Sequence, residues 1–211
     1  MSYQALLDAV IKGDIKTAKE ETLKAVDAGQ NAQDILDQGL IEAMNVVGDR
    51  FSKGAIFVPQ MLRSAKTMQE CVEVLKPHFQ ENAMTTKGNI VLGTVKGDLH
   101  DIGKNQVRMM LEGAGFNIID LGVDVAPEVF VNNIKEAKAD VLGMSALLST
   151  TMPSMTHKIK ELADSGLRDT VKVIIGGAPV TRKYAEDIGA DSYASDAGAA
   201  VHETKKLLNI T

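Results

Sequence analysis

Apolar residues in the first part of the chain recur at a spacing of about 3.6 residues, which indicates amphipathic helices. Start and stop signals divide residues 1–80 into four predicted helices. In chain order the signals are an N-cap at Asp14, a stop at Gly29, an N-cap at Asn31 or Asp34, a break at 52–54 and a start at Val58–Pro59. Amphipathic helices joined by short connections predict a small antiparallel four-helix bundle.

A different pattern begins near residue 88, where short apolar runs alternate with amphipathic helices. The apolar runs cover 89–93, 116–121, 141–145, 171–176 and 192–194. Five strands that alternate with helices predict a flavodoxin-like, doubly wound parallel sheet in the order 2-1-3-4-5. We therefore expect an α/β chain with a helical domain at 1–80, a linker at 81–87 and a five-stranded domain at 88–211.

The overall composition excludes several classes of function. Among 211 residues the formal net charge is −5, aromatic residues make up 4% and Trp is absent, which disfavours a nucleic-acid-binding surface. The single cysteine, Cys71, excludes an internal disulfide framework, and we expect it to be a buried, inert thiol. The chain has no signal pattern and no apolar run of about 18 residues, so we expect a cytoplasmic protein without a membrane segment.

The most informative polar residues lie in the loop after the first predicted strand. A doubly wound sheet binds ligands outside the carboxyl ends of strands 1 and 3, and His100 lies in the loop at that edge. Two ordinary ligand motifs are absent, because the loop has no GxGxxG and its spacing from Gly97 to Gly103 is one residue too long for a P-loop. Zinc requires three or four ligands, and no Cys or other His lies near His100 in sequence.

His100 is a candidate metal ligand because Asp98 stands two residues before it. A metal-ligating histidine usually donates its other ring N–H to a carboxylate, which sets the tautomer and raises the basicity of the ligating nitrogen. Gly97 and Gly103 leave room around the imidazole, and a glycine pair after the fourth strand allows a bulky group to approach the backbone. From spacing alone a second interpretation stays open, in which Asp98 is an N-terminal carboxylate of the following helix.

Three motifs resemble those of cobalamin-binding domains. The segment Asp98-Leu99-His100-Asp101-Ile102-Gly103 is similar to the DxHxxG signature, Ser145-Ala146-Leu147 to the SxL motif, and Gly176-Gly177 to the GG motif. The motifs occur in the family's order, and each follows a predicted strand. The resemblance implies that His100 is the lower axial ligand of cobalt and that the nucleotide tail of the cofactor inserts into the protein.

The helical half resembles the cap of methionine synthase and of the small corrinoid proteins. The matching segments are 48–51 (Gly-Asp-Arg-Phe) and 57–62 (Phe-Val-Pro-Gln-Met-Leu). In that family apolar cap residues cover the upper, methyl-bearing face of cobalt, which makes Phe57 and Met61 candidates. Ordinary core packing is the alternative for both. The whole chain is most similar to the free-standing corrinoid proteins of methanol, methylamine and betaine methyltransferase systems.

The resemblance implies a role for individual positions. The catalytic pair would be His100, which ligates cobalt, and Asp98, which hydrogen-bonds it, while Ser149 or Thr151 would extend that relay or contact the corrin. The expected cofactor-binding residues are Phe57, Met61, Gly97, Asp98, Leu99, His100, Asp101, Ile102, Gly103, Ser145, Leu147, Ser149, Thr151, Gly176, Gly177, Ala194 and Ala197.

The implied function is methyl carriage rather than stand-alone catalysis. The cobalt(I) of a bound cobalamin or other corrinoid would take a methyl group from a donor that a substrate-specific methyltransferase activates. A second methyltransferase would pass it to a folate, pterin or thiol, and a reductive activase would restore the cofactor. Methylamines, betaine-type amines and methanol stay open as donors. Two other functions stay open, namely the cobalamin-binding subunit of a radical mutase and a cobalamin-dependent sensor.

Overall fold

The computed structural model describes residues 3–79 and 86–210, and the chain divides into two compact units. One unit is Met1–Thr86 with Glu112–Gly115, and the other is Lys87–Leu111 with Phe116–Thr211. Residues 81–85 of the predicted linker lie outside the described residues. No helix in the described ranges combines the length and the apolar character that a membrane crossing requires.

The helical unit begins with two helices whose ends follow local signals. Helix α1 covers Gln4–Lys12 and ends at Gly13, which has a left-handed conformation with φ 71°. Helix α2 covers Ile15–Asp27, and the carboxylate of Asp14 accepts the backbone N–H of Thr17 at 3.1 Å. The predicted N-cap at Asp14 is therefore present, because its side chain satisfies an N–H of the first turn that has no partner within the helix.

The third predicted helical region contains a π-helical stretch that the apolar spacing did not indicate. It consists of α3 (Ala32–Asp34), a π-helix (Ile35–Ile41) and α4 (Glu42–Ser52). The side chain of Asn31 caps its start by accepting the backbone N–H groups of Gln33 at 2.8 Å and Asp34 at 3.4 Å. Of the two N-caps left open by the sequence, the structure therefore has Asn31.

The last long helix of this unit, α5, covers Val58–Leu75 and continues into a 3₁₀ turn at Lys76–His78. Pro59 lies in its first turn, where a missing N–H leaves no helix hydrogen bond unmade. The Gln60 side chain accepts the backbone N–H of Phe57 at 2.8 Å. Cys71 is buried in this helix, which confirms the predicted buried thiol.

The second unit contains a five-stranded parallel sheet in the order β2-β1-β3-β4-β5, which confirms the predicted doubly wound topology. The strands are β1 (Asn89–Thr94), β2 (Asn117–Asp120), β3 (Val141–Ser145), β4 (Lys172–Gly176) and β5 (Ser192–Ala194). The helices are α6 (Ile102–Gly113), α7 (Pro127–Ala137), α8 (Pro153–Asp164), α9 (Arg182–Ile188) and α10 (Ala197–Leu207). The central strands are mostly buried, as expected for a parallel sheet covered on both faces.

Two local features of this unit shape the loop that carries His100. A Cβ on Gly93 of β1 would lie 2.8 Å from the buried Phe130 ring, so glycine allows α7 to pack against the strand. Helix α6 begins at Ile102, two residues after His100. Gly103 and Lys104 therefore lie in the first turn of the helix rather than in the loop.

Candidate functional site

The parallel register aligns the ends of four strands at one edge of the sheet. Thr94 of β1 pairs with Ser145 of β3, Ser145 with Gly176 of β4, and Gly176 with Ala194 of β5. Because all of the strands point the same way, the loops that follow these residues leave the sheet at the same edge. The three motifs, which are far apart in sequence, are therefore neighbours in the fold.

Asp98 is fully buried, and both of its carboxylate oxygens are hydrogen-bonded. Oδ1 lies 2.7 Å from Nδ1 of His100 and accepts the His100 backbone N–H at 3.1 Å. Oδ2 accepts the backbone N–H groups of Leu147 at 2.8 Å and Leu148 at 3.3 Å, and lies 2.8 Å from the hydroxyl of Thr151. One buried carboxylate therefore joins the loop after β1 to the loop after β3.

The surroundings of Asp98 determine its ionisation. Burial by itself raises the pKa of a carboxyl group, because it removes water from the charged form. The backbone N–H groups of Leu147 and His100, the His100 imidazole and the Thr151 hydroxyl outweigh burial and hold the pKa of Asp98 well below its usual range. Asp98 is therefore an anion at neutral pH and only accepts hydrogen bonds.

The acceptor at Nδ1 sets the chemistry of His100. When the imidazole is neutral, its proton lies on Nδ1 and its Nε2 has a free lone pair. The His100 side chain is 49% exposed, although the carboxylate beside it is buried. The hydroxyl of Thr94, also buried, donates to the backbone carbonyl of His100 at 2.9 Å. The site therefore presents one oriented imidazole nitrogen with a carboxylate behind it, which is the usual arrangement of a metal-ligating histidine.

Exposed apolar side chains lie in the two loops that meet at Asp98. Leu99 and Ile102 flank His100 in sequence and are 72% and 76% exposed, while Leu147 and Leu148 are 42% and 43% exposed. Clustered apolar groups on a surface commonly mark a ligand site. A large ligand with apolar faces, such as a corrin ring, fits this set of side chains better than a small polar ligand does.

Two glycines at this edge allow close approach between strand ends. A Cβ on Gly177, where φ is 126°, would lie 1.9 Å from the carbonyl oxygen of Ala146. A Cβ on Gly176 would lie 2.9 Å from the carbonyl oxygen of Ala194. Gly103 differs from both, because a Cβ there would have no atom within 4 Å. The protein itself does not require glycine at position 103, so the open space beside the His100 loop fits a site that a ligand fills.

The structure distinguishes between the two hydroxyl residues proposed for the relay. Thr151 contacts the Asp98 carboxylate directly, whereas Ser149 is exposed and has no hydrogen bond among those recorded for the described side chains. Asp101 is exposed and accepts the side-chain amide of Asn105 at 3.0 Å. Ala194 and Ala197 are buried at the end of β5 and the start of α10.

The two candidates in the helical unit differ in exposure. Phe57, which precedes α5, is 71% exposed. Met61, one turn further along, is fully buried. Phe57 is thus the one of the two whose side chain is accessible to a ligand.

Sequence reasoning missed three polar residues that support the site. Nζ of Lys104 in α6 lies 2.6 and 2.7 Å from the carboxylate oxygens of Asp120 at the end of β2, and the Lys104 side chain is 1% exposed. Asp124, in the loop after β2, bonds to the segment 96–98. A charged residue at a strand end was the available signal for Asp120. Asp124 had no such signal, because it lies beyond the strand end and two of its three contacts are with backbone groups.

Comparisons with known proteins find relatives over nearly the whole chain. Residues 88–202 match the family described as the B12 binding domain, and residues 3–76 match a second family with the same description. The chain is 43% identical to dimethylamine corrinoid protein 1 of Methanosarcina acetivorans, over 99% of this chain and 100% of that protein. It is 40% identical to trimethylamine corrinoid protein 2 of the same organism, over 95% of this chain and 94% of that protein.

Two solved structures show the same fold. A cobalamin-binding protein from Desulfitobacterium hafniense matches with a TM-score of 0.82 and 32% identity, over 98% of both chains. A chain of the methanol:cobalamin methyltransferase complex from Methanosarcina barkeri matches with a TM-score of 0.89 and 29% identity. That match covers 99% of this chain and 80% of the other. The agreement therefore extends from three short motifs to nearly the full length.

Proposed function

Because this chain belongs to the corrinoid proteins of the B12 binding family, we propose that it carries methyl groups between two methyltransferases. A bound corrinoid would supply the cobalt chemistry of methyl transfer. The observation that carries this proposal is the buried Asp98 carboxylate 2.7 Å from Nδ1 of a half-exposed His100. That pair offers one oriented imidazole nitrogen, which suits a lower axial ligand of cobalt.

Each side of the site has a separate task in this proposal. His100 binds cobalt through Nε2, and Asp98 keeps the ring oriented and holds the proton at Nδ1. The exposed apolar side chains of both loops (Leu99, Ile102, Leu147 and Leu148) contact the corrin and exclude water from it. Gly176 and Gly177 let the ends of β3, β4 and β5 lie close together at the edge where the nucleotide tail would pass.

The Asp98 carboxylate also determines which residue of the pair holds the proton in this proposal. A neutral His100 keeps its proton on Nδ1, where the Asp98 anion accepts it. Thr151 and the two backbone N–H groups at Oδ2 keep Asp98 charged throughout. In this proposal His100 therefore holds the proton of the pair, and Asp98 accepts that hydrogen bond without being protonated itself.

The relatives favour methylamines as the source of the methyl group. Proteins named for dimethylamine and trimethylamine are 43% and 40% identical to this chain, whereas the chain from the methanol complex is 29% identical. We therefore propose a methylamine-specific methyltransferase as the first partner. A second methyltransferase that acts on a folate, pterin or thiol and a reductive activase complete the proposed cycle. Phe57 is the proposed contact of the helical unit with the corrinoid, because its side chain is exposed.

Replacement of His100 tests the cobalt ligand. The full chain and its His100→Ala variant, both labelled with ¹⁵N, would be loaded with unlabelled cob(II)alamin, so that the EPR splitting distinguishes a protein nitrogen from the nitrogen of the cofactor's own base. We expect the histidine nitrogen signal to be lost and binding to weaken by at least about tenfold. His157→Ala, an exposed histidine of α8, is the matched control and should match the wild type. A variant spectrum equal to that of the wild type would contradict the assignment.

A methylation assay tests the carrier role itself. The corrinoid-loaded protein would be reduced and incubated with monomethylamine, dimethylamine, trimethylamine, methanol or glycine betaine, each with its cognate methyltransferase. We expect the visible spectrum to report methylation with at least one methylamine. Corrinoid binding without methylation by any donor would instead favour a mutase subunit or a sensor.

A further inference from the structure

Asp124 links the loop after β2 to the loop that carries the Asp98–His100 pair. Its Oδ1 accepts the backbone N–H of Gly97 at 2.8 Å, and its Oδ2 lies 3.0 Å from Nζ of Lys96. Its own backbone N–H donates to the carbonyl oxygen of Asp98 at 2.9 Å. Asp124 therefore bonds to three consecutive residues, and the last of them is the buried carboxylate residue of the site.

The backbone at Asp124 has an uncommon conformation. Its φ is 52°, in the left-handed region that few residues other than glycine adopt, although Asp and Asn tolerate it better than most. Such conformations persist where surrounding contacts hold them. Here the next residue, Val125, forms a parallel bridge with Val95 and donates to the carbonyl of Thr94 at 3.0 Å. The loop thus continues the β1–β2 pairing past the strand ends and places Asp124 against Gly97.

The contacts of Asp98 show why the position of Asp124 against Gly97 matters for the site. The carboxylate of Asp98 bonds to His100 and to the loop after β3. The backbone of Asp98 is held by two further bonds, one from the Asp124 N–H to its carbonyl oxygen and one from its own N–H to the Val95 carbonyl at 3.1 Å. Gly97, with φ 84°, precedes Asp98 and has no Cβ to restrict its backbone. The bond from its N–H to Asp124 therefore limits which backbone conformations it can adopt. A bond of 2.7 Å between Asp98 and His100 requires that this backbone stay in place.

We propose that Asp124 is a positioning residue, which fixes the backbone of Gly97 and Asp98 so that Asp98 orients His100 toward the corrinoid. This inference rests on the proposed function. The competing explanation is that Asp124 forms only a surface ion pair with Lys96. Both side chains are substantially exposed, at 56% for Lys96 and 41% for Asp124, and exposed pairs contribute little. The two explanations differ in whether the bond to Gly97 or the charge of Lys96 matters.

Four variants separate these explanations. Asp124→Gly removes the carboxylate but tolerates the positive φ, so it tests the side chain without adding backbone strain. Asp124→Asn keeps an oxygen for the Gly97 N–H and also tolerates this φ. Lys96→Met removes only the ion pair. Asp187→Asn is the matched control, because Asp187 forms an exposed ion pair with Lys183 in α9, apart from the three loops of the site.

The first measurement is the tautomer of His100 in the corrinoid-free protein, read from long-range ¹H–¹⁵N NMR correlations with the imidazole neutral. Wild type, Asp124→Asn, Lys96→Met and Asp187→Asn should all show the proton on Nδ1. Asp124→Gly should show a mixture of tautomers, because Asp98 no longer holds the ring. The thermal unfolding temperature of each variant would be recorded alongside, so that a general loss of folding is recognised.

The second measurement is corrinoid affinity together with the EPR signal of the histidine nitrogen. We expect Asp124→Gly to bind cob(II)alamin about three- to tenfold more weakly, which corresponds to the loss of one hydrogen bond, and to show a smaller histidine-ligated fraction. Asp124→Asn should restore both. If Asp124→Gly equals the wild type in tautomer and affinity, or if Asp124→Asn is as impaired as Asp124→Gly, the inference is overturned.

Failure of the proposed function gives a different result. A wild-type protein that binds no corrinoid, or binds it without a histidine signal, would reject the carrier role of the site. The tautomer of His100 in the corrinoid-free variants would still decide whether Asp124 positions the Asp98–His100 pair. If Asp124→Gly unfolds, the tautomer of His100 in Asp124→Asn and Lys96→Met still tests the inference. The inference requires both variants to keep the proton on Nδ1, as in the wild type.

Discussion

Oδ1 of Asp98 lies 2.7 Å from Nδ1 of His100, and the two side chains differ sharply in exposure, at 0% for Asp98 and 49% for His100. A buried anion costs free energy unless its oxygens are bonded, and the N–H groups of Leu147 and Leu148 together with the Thr151 hydroxyl supply those bonds. The loop after β3 thus stabilises the charge that orients the exposed imidazole. Stability and ligand orientation therefore depend on the same carboxylate.

The depressed pKa of Asp98 predicts a pH-dependent contribution to stability. The folded chain holds the Asp98 pKa below that of the unfolded chain, about 3.9, so the contribution is fully present above that value and is lost as pH falls further. We expect Asp98→Asn to lower the free energy of unfolding at neutral pH by about 2–3 kcal/mol, because an amide has one acceptor oxygen and the donors at either Oδ1 or Oδ2 would lose their partner. In urea titrations the difference in the free energy of unfolding between Asp98→Asn and the wild type should become smaller below about pH 4. A difference that is constant with pH would contradict this account.

Thr151 provides a second, smaller test of the same carboxylate. Thr151→Val keeps the shape of the side chain but removes the donor to Asp98 Oδ2, so we expect a loss of about 1–2 kcal/mol in the free energy of unfolding. Thr151→Ser keeps the hydroxyl and should lose less. Ser149→Ala, at an exposed neighbouring position, should be nearly neutral. Equal losses at 149 and 151 would show that the relay assignment is wrong.

The glycines of the site should fall into two classes. Gly177→Ala places a Cβ against the Ala146 carbonyl at a positive φ, and we expect it to destabilise the fold by more than about 2 kcal/mol. Gly103→Ala meets no atom within 4 Å in the first turn of α6 and should be as stable as the wild type or slightly more so. Its corrinoid affinity should nevertheless fall, if the space is kept for the cofactor. Thermal unfolding checks the expected stabilities of both variants, and a binding titration checks the corrinoid affinity of Gly103→Ala. An affinity equal to that of the wild type would refute the expectation that the space at position 103 is kept for the cofactor.

The ion pair between Lys104 and Asp120 predicts a large cost for losing one partner. Lys104→Met leaves Asp120 without its nearest cation, and we expect a loss of about 3–5 kcal/mol, reduced to the extent that Asp120 reaches solvent. The double variant Lys104→Met, Asp120→Leu should be more stable than the single one. Lys183→Met, which breaks an exposed pair in α9, should change stability by less than about 1 kcal/mol. Chemical denaturation compares all three.

The sequence predicted the elements of this site better than it predicted their supports. His100 and Asp98 are two residues apart in one loop, so their contact is local and followed from the motif. Thr151 and Ser149 were equal candidates, because only the turn of the loop after β3 decides which hydroxyl faces Asp98. The Lys104–Asp120 ion pair and the bond between Asp124 and Gly97 join segments that are separated in sequence. No residue spacing in the sequence indicated either contact.

Local patterns in the amino-acid sequence were sufficient to predict the order of helices and strands and the doubly wound sheet, because periodicity and turn residues act over short distances. The resemblance of three motifs to a known family implied His100 as the candidate ligand. Tertiary structure alone decided that Asp98 is buried yet ionised, since its charge depends on donors about fifty residues away in the loop after β3. It also decided that a π-helical stretch interrupts the third helical region and that Asp124 holds the His100 loop. The ionised state of Asp98 and the position of the His100 loop arise from contacts between segments distant in sequence, which no local pattern records.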